Sequence, residues 1–197
     1  LSNAGNNADA GIRVGGIGGH INATMMKNCT NYAVVSDQSN SLCGYVGGIA
    51  GRTGGSGLTM TNCDNRAAVS GLFNHSTARR ELAVGGLIGV NAVANTMADC
   101  DNTGNVTQSN TTAGTIEYVG GLVAYSSPKL TVSNCSSNAT VSTTRTVYTY
   151  VGALFGRIYA KDSSVSSTKV YGTFEETELN ADNLALCYGV SSEFKAT

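Results

Sequence analysis

Apolar and polar residues alternate in short runs along the chain, and each run is bounded by Asn or Gly. Examples are the segments 58–60, 130–132 and 146–151. Alternation rich in Val, Thr and Tyr predicts β-strands, because successive side chains of a strand face opposite sides. No long stretch has the 3.6-residue period of an amphipathic helix, and Gly pairs recur where they would destabilise one. The pattern therefore predicts an all-β protein.

The runs belong to a repeat of about 35 residues. The sequence Val-Gly-Gly followed by Ile or Leu, or a degenerate copy of it, begins at Val14, Val46, Val84, Val119 and Val151. A second landmark follows each start by 15 to 17 residues, at Cys29, Cys63, Cys100, Cys135 and Thr168. When the units are aligned on this landmark, apolar, Asn-rich and small residues fall into further columns. Such coincidence over five units indicates an internal repeat.

A unit of this length with about three short strands matches one coil of a parallel β-solenoid, whose coils stack about 4.8 Å apart. Stacking places like residues upon like residues, which explains the columns. We expect a right-handed parallel β-helix of about five coils over residues 12–174. Apolar columns would face the lumen, and Asn columns would lie at corners, where Asn tolerates a left-handed backbone. A β-propeller is the rival fold, but it requires four strands per unit.

The two ends of the chain lie outside the repeat. Residues 1–11 are mostly small and polar and predict a linker or cloning remnant. Residues 175–197 predict a C-terminal cap, a short helix or loop in which Leu179, Leu184 and Leu186 close the last coil, because an open end invites edge-to-edge assembly. At the N-terminal end we expect either that Ile12 and its neighbours close the first coil or that the chain continues upstream into further domains.

Two units resemble a known repeat family. The sequences Val-Gly-Gly-Ile-Ala-Gly at 46–51 and Val-Gly-Gly-Leu-Ile-Gly at 84–89 are followed by Asn-Cys-Asp-Asn and Asp-Cys-Asp-Asn, and they resemble GLUG-type repeats. The segment 102–106, Asn-Thr-Gly-Asn-Val, is similar to the trailing element of that family. The resemblance covers roughly residues 12–175 and implies a bacterial protein that is secreted or surface-anchored, often an adhesin. It implies no catalytic residues.

Composition and charge narrow the classes of function. The chain is 41% hydrophobic, which allows a core, but only 13% of its residues are charged and its net charge is −1. Such a balance gives no electrostatic basis for nucleic-acid binding, and no apolar run approaches the 18 residues of a membrane-spanning helix. A neutral polar surface suits weak, multivalent contacts with a protein or a glycan.

The cysteines predict a structural role. Cys29, Cys63, Cys100 and Cys135 share one inward column, where a free Cys behaves as a small hydrophobe, so we favour a ladder of thiols. Disulfides remain the alternative, because exported proteins favour them and neighbouring coils lie within bridging distance. Cys43 and Cys187 lie outside the column and are either free or paired. The chain has no Cys-x-x-Cys pair, so neither a metal site nor a cofactor is expected.

Two sets of side chains are candidates for a functional site. Tyr45, Tyr118 and Tyr150 precede the Val of three units, and we favour stacking that only shields the sheet. If they face outward, they would instead form an exposed strip for sugar rings or a partner protein. Asp64 and Asp101, with Asp99 beside them, would stack about 5 Å apart, as in a retaining glycosidase. The simpler interpretation is that these Asp residues replace Asn or Thr at a corner.

These observations predict a non-catalytic module, an adhesin or structural spacer, that is extracellular or on the surface of a bacterium. Its partner would be a host or cell-surface protein or a glycan, bound through a sheet face or the loops at 37–42, 71–80 and 108–115. The alternative is a polysaccharide-acting lyase or hydrolase that uses the three Asp residues.

Overall fold

The computed structural model describes residues 11–38, 43–73, 81–110, 116–144, 149–172, 174–176, 185–187 and 195–196. Within these ranges the regular structure is entirely β, and every strand pair is parallel. Like residues stack on like residues, for example Val46 on Val84 and Met60 on Met97. The predicted β-solenoid is therefore confirmed.

The strands divide among successive coils. The first coil contains β1 (Ile12–Gly15), β2 (Gly18–Ile21), β3 (Met25–Asn31) and β4 (Val35–Asp37). The second contains β5 (Cys43–Gly47), β6 (Ala50–Thr53), β7 (Leu58–Asn65) and β8 (Val69–Phe73). The third contains β9 (Glu81–Gly85), β10 (Ile88–Asn91), β11 (Asn95–Ala98), β12 (Asp101–Asn102) and β13 (Val106–Asn110).

The later coils follow the same order. The fourth contains β14 (Ile116–Gly120), β15 (Val123–Ser126), β16 (Leu130–Ser133), β17 (Ser136–Ser137) and β18 (Val141–Thr143). The fifth contains β19 (Thr149–Ile158), β20 (Ser164–Ser166), β21 (Lys169–Val170) and β22 (Phe174–Glu176). Two further strands follow, β23 (Ala185–Cys187) and β24 (Lys195–Ala196).

The strands form three sheets. The first sheet consists of two ladders, β1-β5-β9-β14 and β2-β6-β10-β15, which are joined by the long strand β19. The second sheet stacks β3, β7 and their counterparts, and the third stacks β4, β8, β13, β18 and β22. The strands β1, β5, β9, β14 and β19 are stacked at the same position of successive coils, and we call each level of this stack a rung. Five rungs are separated by four turns of the chain, so from β1 to β19 the solenoid makes about four complete turns rather than the expected five.

The C-terminal segment also differs from the expected cap. β22 crosses the boundary placed at residue 174 and pairs with β18, while β23 pairs with β19 and β24 with β20. The described parts of 175–197 thus add strands to the ladders, which satisfies backbone groups that a sheet edge would leave unpaired. Leu186 lies in β23, whereas Leu179, Leu184 and residues 1–10 of the expected linker lie outside the described residues.

The interior is divided into two hydrophobic cores. Cys63, Met97 and their neighbours form one core with β6, β10 and β15, and the Val residues of the first and third sheets form the other. Between them runs a buried ladder of Asn31, Asn65 and Asn102, which we call the Asn ladder. Asn31 Nδ2 donates to Asn65 Oδ1 and Asn65 Nδ2 donates to Asn102 Oδ1, both at 2.8 Å. These bonds satisfy amides that would otherwise be costly to bury.

In the first three coils the second Gly of the Val-Gly-Gly element packs directly against the Asn ladder, whereas Gly121 of the fourth coil packs against Ser137. A Cβ atom at Gly48 would overlap the side chain of Asn65, and one at Gly86 would overlap the side chain of Asn102. These glycines lie in the bends between the two ladders of the first sheet, and we call their contact with the Asn ladder the waist, because it leaves no room for a side chain at Gly48 or Gly86.

A second Asn column forms an exposed corner. Asn28, Asn62, Asp99, Asn134 and Ser167 all have positive φ, between 47° and 56°. Asn and Asp tolerate this left-handed backbone better than other residues with a Cβ. Asn62 Nδ2 also donates to Asn28 Oδ1 of the preceding coil at 2.8 Å. The expectation that Asn columns occupy corners with a left-handed backbone is confirmed here.

Candidate binding surface

Two columns of side chains meet outside the interior cores, where the ladders of the first sheet adjoin. One column contains Arg13, Tyr45, Ala83, Tyr118 and Tyr150, and the other contains His20, Arg52, Val90, Tyr125 and Arg157. Short two-residue turns join the ladders, so the columns come into contact and form a third, separate apolar cluster. We call these ten residues, together with Tyr159, whose ring contacts Arg157, the outer cluster.

The C-terminal half of the outer cluster is aromatic. The Tyr118 ring stacks on Tyr125, with centroids 4.6 Å apart, and on Tyr150 at 5.3 Å. The Arg157 guanidinium lies 4.7 Å from the centroid of Tyr150 and 5.5 Å from that of Tyr159. These distances are typical of aromatic stacking and of cation–π contacts.

At Tyr118 the rings stack and shield the sheet, which is the interpretation favoured from the sequence, and they form no exposed strip with Tyr45 and Tyr150. Tyr118 is only 5% exposed because its neighbours cover both faces of the ring. Burial raises the pKa of Tyr118 to about 12. Ala83 also separates Tyr45 from Tyr118 in the column. The accessible aromatic surface is instead supplied by Tyr159, which is 61% exposed, and by the partly exposed Tyr150.

The N-terminal half is cationic. His20 lies near Arg13 and Arg52, and its pKa is lowered by burial and by repulsion from both guanidinium groups. The Tyr45 hydroxyl donates to Glu81 Oε2 at 3.0 Å, and burial raises the pKa of Glu81. A neutral His20 and a hydrogen-bonded Glu81 leave the two arginines as the dominant charges of this half.

The arginines of the outer cluster form no ion pair within the described ranges, although Glu81 lies close enough to Arg52 for the two charges to attract. Within the described ranges, ion pairs join Arg66 to Asp64 and Lys129 to Asp162, and neither pair involves the outer cluster. Three guanidinium groups therefore lie along one surface with donors available for an anion.

The candidate carboxylates lie elsewhere, along the second sheet, and each is engaged by neighbours. Asp64 is paired with Arg66 at 2.7 Å and accepts the backbone N–H of Asp101 at 3.1 Å. Asp101 accepts the hydroxyl of Ser136 at 2.7 Å, and Asp99 accepts Nδ2 of Asn134 at the exposed corner. The three Asp residues thus occupy the same columns as Thr, Ser and Asn in other coils.

The four column cysteines lie in one file inside the first of the two cores, and their thiols are free. Each Sγ–H donates to the carbonyl two residues earlier, at 3.1 to 3.4 Å. The Thr168 hydroxyl makes the equivalent bond to Ser166 at 2.9 Å. The neighbouring Cys135 thiol together with burial raises the pKa of Cys100 to about 12, which disfavours a reactive thiolate. Cys43 is also buried and free, and Cys187 lies in β23.

The remaining candidates divide between described and undescribed residues. Most of the three loops expected to bind a partner falls at 39–42, 74–80 and 111–115, outside the described residues. In the part of the chain that the structure describes, no group of three or more His, Cys, Asp or Glu residues could hold a metal ion. No helix of those same ranges has the length and hydropathy that a membrane span requires.

The second column of the outer cluster was not identified from the sequence, although its residues stand at a constant spacing from those of the first column. Each of its members follows its counterpart in the first column by seven residues, as Arg52 follows Tyr45 and Tyr125 follows Tyr118. Because the identities change from coil to coil, alignment by similarity does not reveal the column.

Comparison with known proteins does not assign the chain to a family. Searches with the whole chain against family models, curated proteins and solved structures find no match.

Proposed function

We propose that the chain is a non-catalytic, GLUG-type module displayed at the surface of a bacterium, where it acts as an adhesin or spacer and binds an extracellular glycan or protein through the outer cluster. The observation that carries this proposal is the arrangement of Tyr150, Arg157 and Tyr159. A guanidinium held between two rings, one of them 61% exposed, offers an apolar face beside hydrogen-bond donors.

This combination favours a glycan over a protein partner. The apolar faces of sugar rings pack on aromatic side chains, while their hydroxyl groups accept hydrogen bonds from arginine. The outer cluster follows the solenoid axis over five rungs, or about 19 Å at the spacing of β-strands. A surface of this length suits several consecutive sugar units of one chain.

The alternative function, a polysaccharide-acting enzyme, depends on Asp64, Asp99 and Asp101. A glycosidase needs one carboxyl group as acid and another as base or nucleophile, both aimed at the substrate. Here the three carboxylates accept hydrogen bonds from their own ladders. This engagement favours a structural role, so binding without turnover is the function we propose.

A glycan array tests the proposal with three variants. We expect wild type to bind at least one glycan without cleaving it. The double variant Tyr150→Ala/Tyr159→Ala should lose about tenfold in affinity, as expected from the loss of ring contacts. The matched control is Tyr171→Ala, because Tyr171 is equally exposed, at 62%, but lies outside the outer cluster.

The third variant carries Asp64→Asn, Asp99→Asn and Asp101→Asn and separates binding from catalysis. It should bind as wild type does. Release of reducing ends by wild type, abolished in this variant, would establish the enzyme instead. Equal losses in the Tyr171→Ala control and the double variant would refute the outer cluster as the binding surface.

A further inference from the structure

We infer that the ligand of the outer cluster is an acidic polysaccharide, a chain of sugar rings that carry carboxylate groups such as uronates. This inference rests on the proposed function and makes it more specific. The relevant observation is that the cluster combines two features along one line, accessible rings and unpaired guanidinium groups.

The distribution of charge argues for an anionic ligand. Arg13, Arg52 and Arg157 lie on rungs one, two and five, and none forms an ion pair with a described residue. In contrast, Asp64, Asp99 and Asp101 lie on the second sheet, away from the cluster. Although the whole chain has a net charge of −1, this surface is locally positive. Guanidinium groups bind carboxylates with two parallel hydrogen bonds, which makes arginine better suited than lysine to this task.

The nearest carboxylate does not cancel this charge. Glu81 stands beside Tyr45 in the neighbouring position of the first ladder, and burial raises its pKa more than the charge of Arg52 lowers it. Its hydrogen bond to the Tyr45 hydroxyl fixes it at the side of the cluster. Glu81 offsets at most the charge of Arg52, so Arg13 and Arg157 keep this surface positive.

The aromatic residues argue for sugar rings rather than for any anion. Tyr150 and Tyr159 flank Arg157, so a group that binds this guanidinium must also lie against a ring. A uronate carries its carboxylate directly on a pyranose ring and can make both contacts at once. Arg52 and Arg157 are separated by three rungs, about 14 Å along the axis, so both can engage carboxylates of a single extended chain.

Three polymers of similar length test the two features separately. Polygalacturonate supplies rings and carboxylates, its fully methyl-esterified form supplies rings alone, and polyglutamate supplies carboxylates alone. We expect isothermal titration to detect polygalacturonate binding that is about tenfold tighter than binding of either other polymer. The affinity should fall when NaCl is raised from about 50 mM to about 500 mM, since salt screens exposed charges.

Two variants locate the contact. Arg52→Gln/Arg157→Gln should weaken polygalacturonate binding about tenfold, while Arg66→Gln, which removes a positive charge from the second sheet, should leave it unchanged. Unfolding midpoints of all variants verify that they are folded.

The outcomes separate this inference from the proposed function. Equal binding of the esterified polymer, lost in the Tyr150→Ala/Tyr159→Ala variant, would overturn the acidic ligand but retain a glycan-binding module. Equal binding of polyglutamate would overturn the sugar requirement. Absence of binding to both forms of the sugar polymer would refute the acidic ligand, while the glycan array would still decide the proposed function independently.

Discussion

The waist inside the solenoid and the outer cluster differ in how the repeat uses them. At the waist the same pair of residues recurs from coil to coil, as Gly48 with Asn65 and Gly86 with Asn102. In the outer cluster the residue changes on nearly every rung, from Tyr45 to Ala83 to Tyr118 in one column. The waist joins the bends of the first sheet to the second sheet, whereas the outer cluster lies on the strands on either side of those bends.

The difference follows from what each position contacts. A waist residue lies between neighbouring backbones and amides, so a change on one rung creates a steric or hydrogen-bonding defect on the next. An outer residue borders solvent on one side and tolerates a neighbour of another size or charge. The last coil supports this reasoning, because both members of the pair change there together. Ala153 stands in place of the second Gly, and Val170 stands in place of the Asn. Repeated columns therefore serve the fold, and varied columns are available for binding.

The largest effect should come from Gly86→Ala. The new Cβ would overlap the carbonyl oxygen of Gly121 and the amide of Asn102, neither of which can move without disturbing the adjacent coil. We expect the free energy of unfolding to fall by about 4 kcal/mol, as measured by urea denaturation.

Gly55→Ala is the control for Gly86→Ala. Gly55 has a φ of 97°, but the nearest atom to an added Cβ is 3.9 Å away. Backbone strain alone should cost about 1–2 kcal/mol. If the two variants were equally stable, the close approach at the waist would not be the reason for glycine there.

A smaller loss is expected from Asn65→Ala, in the middle of the Asn ladder. Asn65 accepts a hydrogen bond from Asn31, donates one to Asn102 and donates another to the carbonyl of Ala67. Its removal leaves buried groups unpaired, so the free energy of unfolding should fall by about 3 kcal/mol.

Asn62→Gly provides the matched comparison with Asn65→Ala. Asn62 lies in the same strand and also bonds to an Asn of the preceding coil, but at an exposed corner. Glycine adopts its φ of 51° without strain, and water replaces the lost bond, so the cost should stay below about 1 kcal/mol. Equal losses at both sites would mean that burial does not distinguish the two Asn columns.

The same distinction explains what could be predicted from the sequence. Strands such as β7, the inward Cys file and the left-handed Asn corner all rest on columns that repeat, and alignment of the units reveals them. The division into two cores could not be predicted, because the Gly and Asn residues of the waist are about 15 residues apart and show no pairing before the coil is closed.

The outer cluster was only partly predictable for a related reason. Tyr45, Tyr118 and Tyr150 could be identified because they precede a repeated motif, but Arg52, Tyr125 and Arg157 follow no repeated identity. Whether a ring is exposed or covered depends on its partner across the bend, as the burial of Tyr118 demonstrates. A repeat alignment contains no information about that partner.

The smallest effect should come from Cys100→Thr, because the fifth coil already places Thr168 in the column and its hydroxyl makes the bond that each thiol makes. We expect the free energy of unfolding to fall by about 1 kcal/mol at pH 7, since the change in shape is slight.

The dependence of the stability of Cys100→Thr on pH provides a sharper measurement. The pKa of Cys100 is raised from 9.0 to about 12, so its protonated form is favoured in the folded state. Its contribution to stability is complete below pH 9 and is lost as the pH rises towards 12. Wild type should therefore lose stability over this range more steeply than Cys100→Thr in alkaline urea titrations. If the free energy of unfolding of wild type and of Cys100→Thr changed equally with pH, the folded protein would not favour the protonated form of the Cys100 thiol.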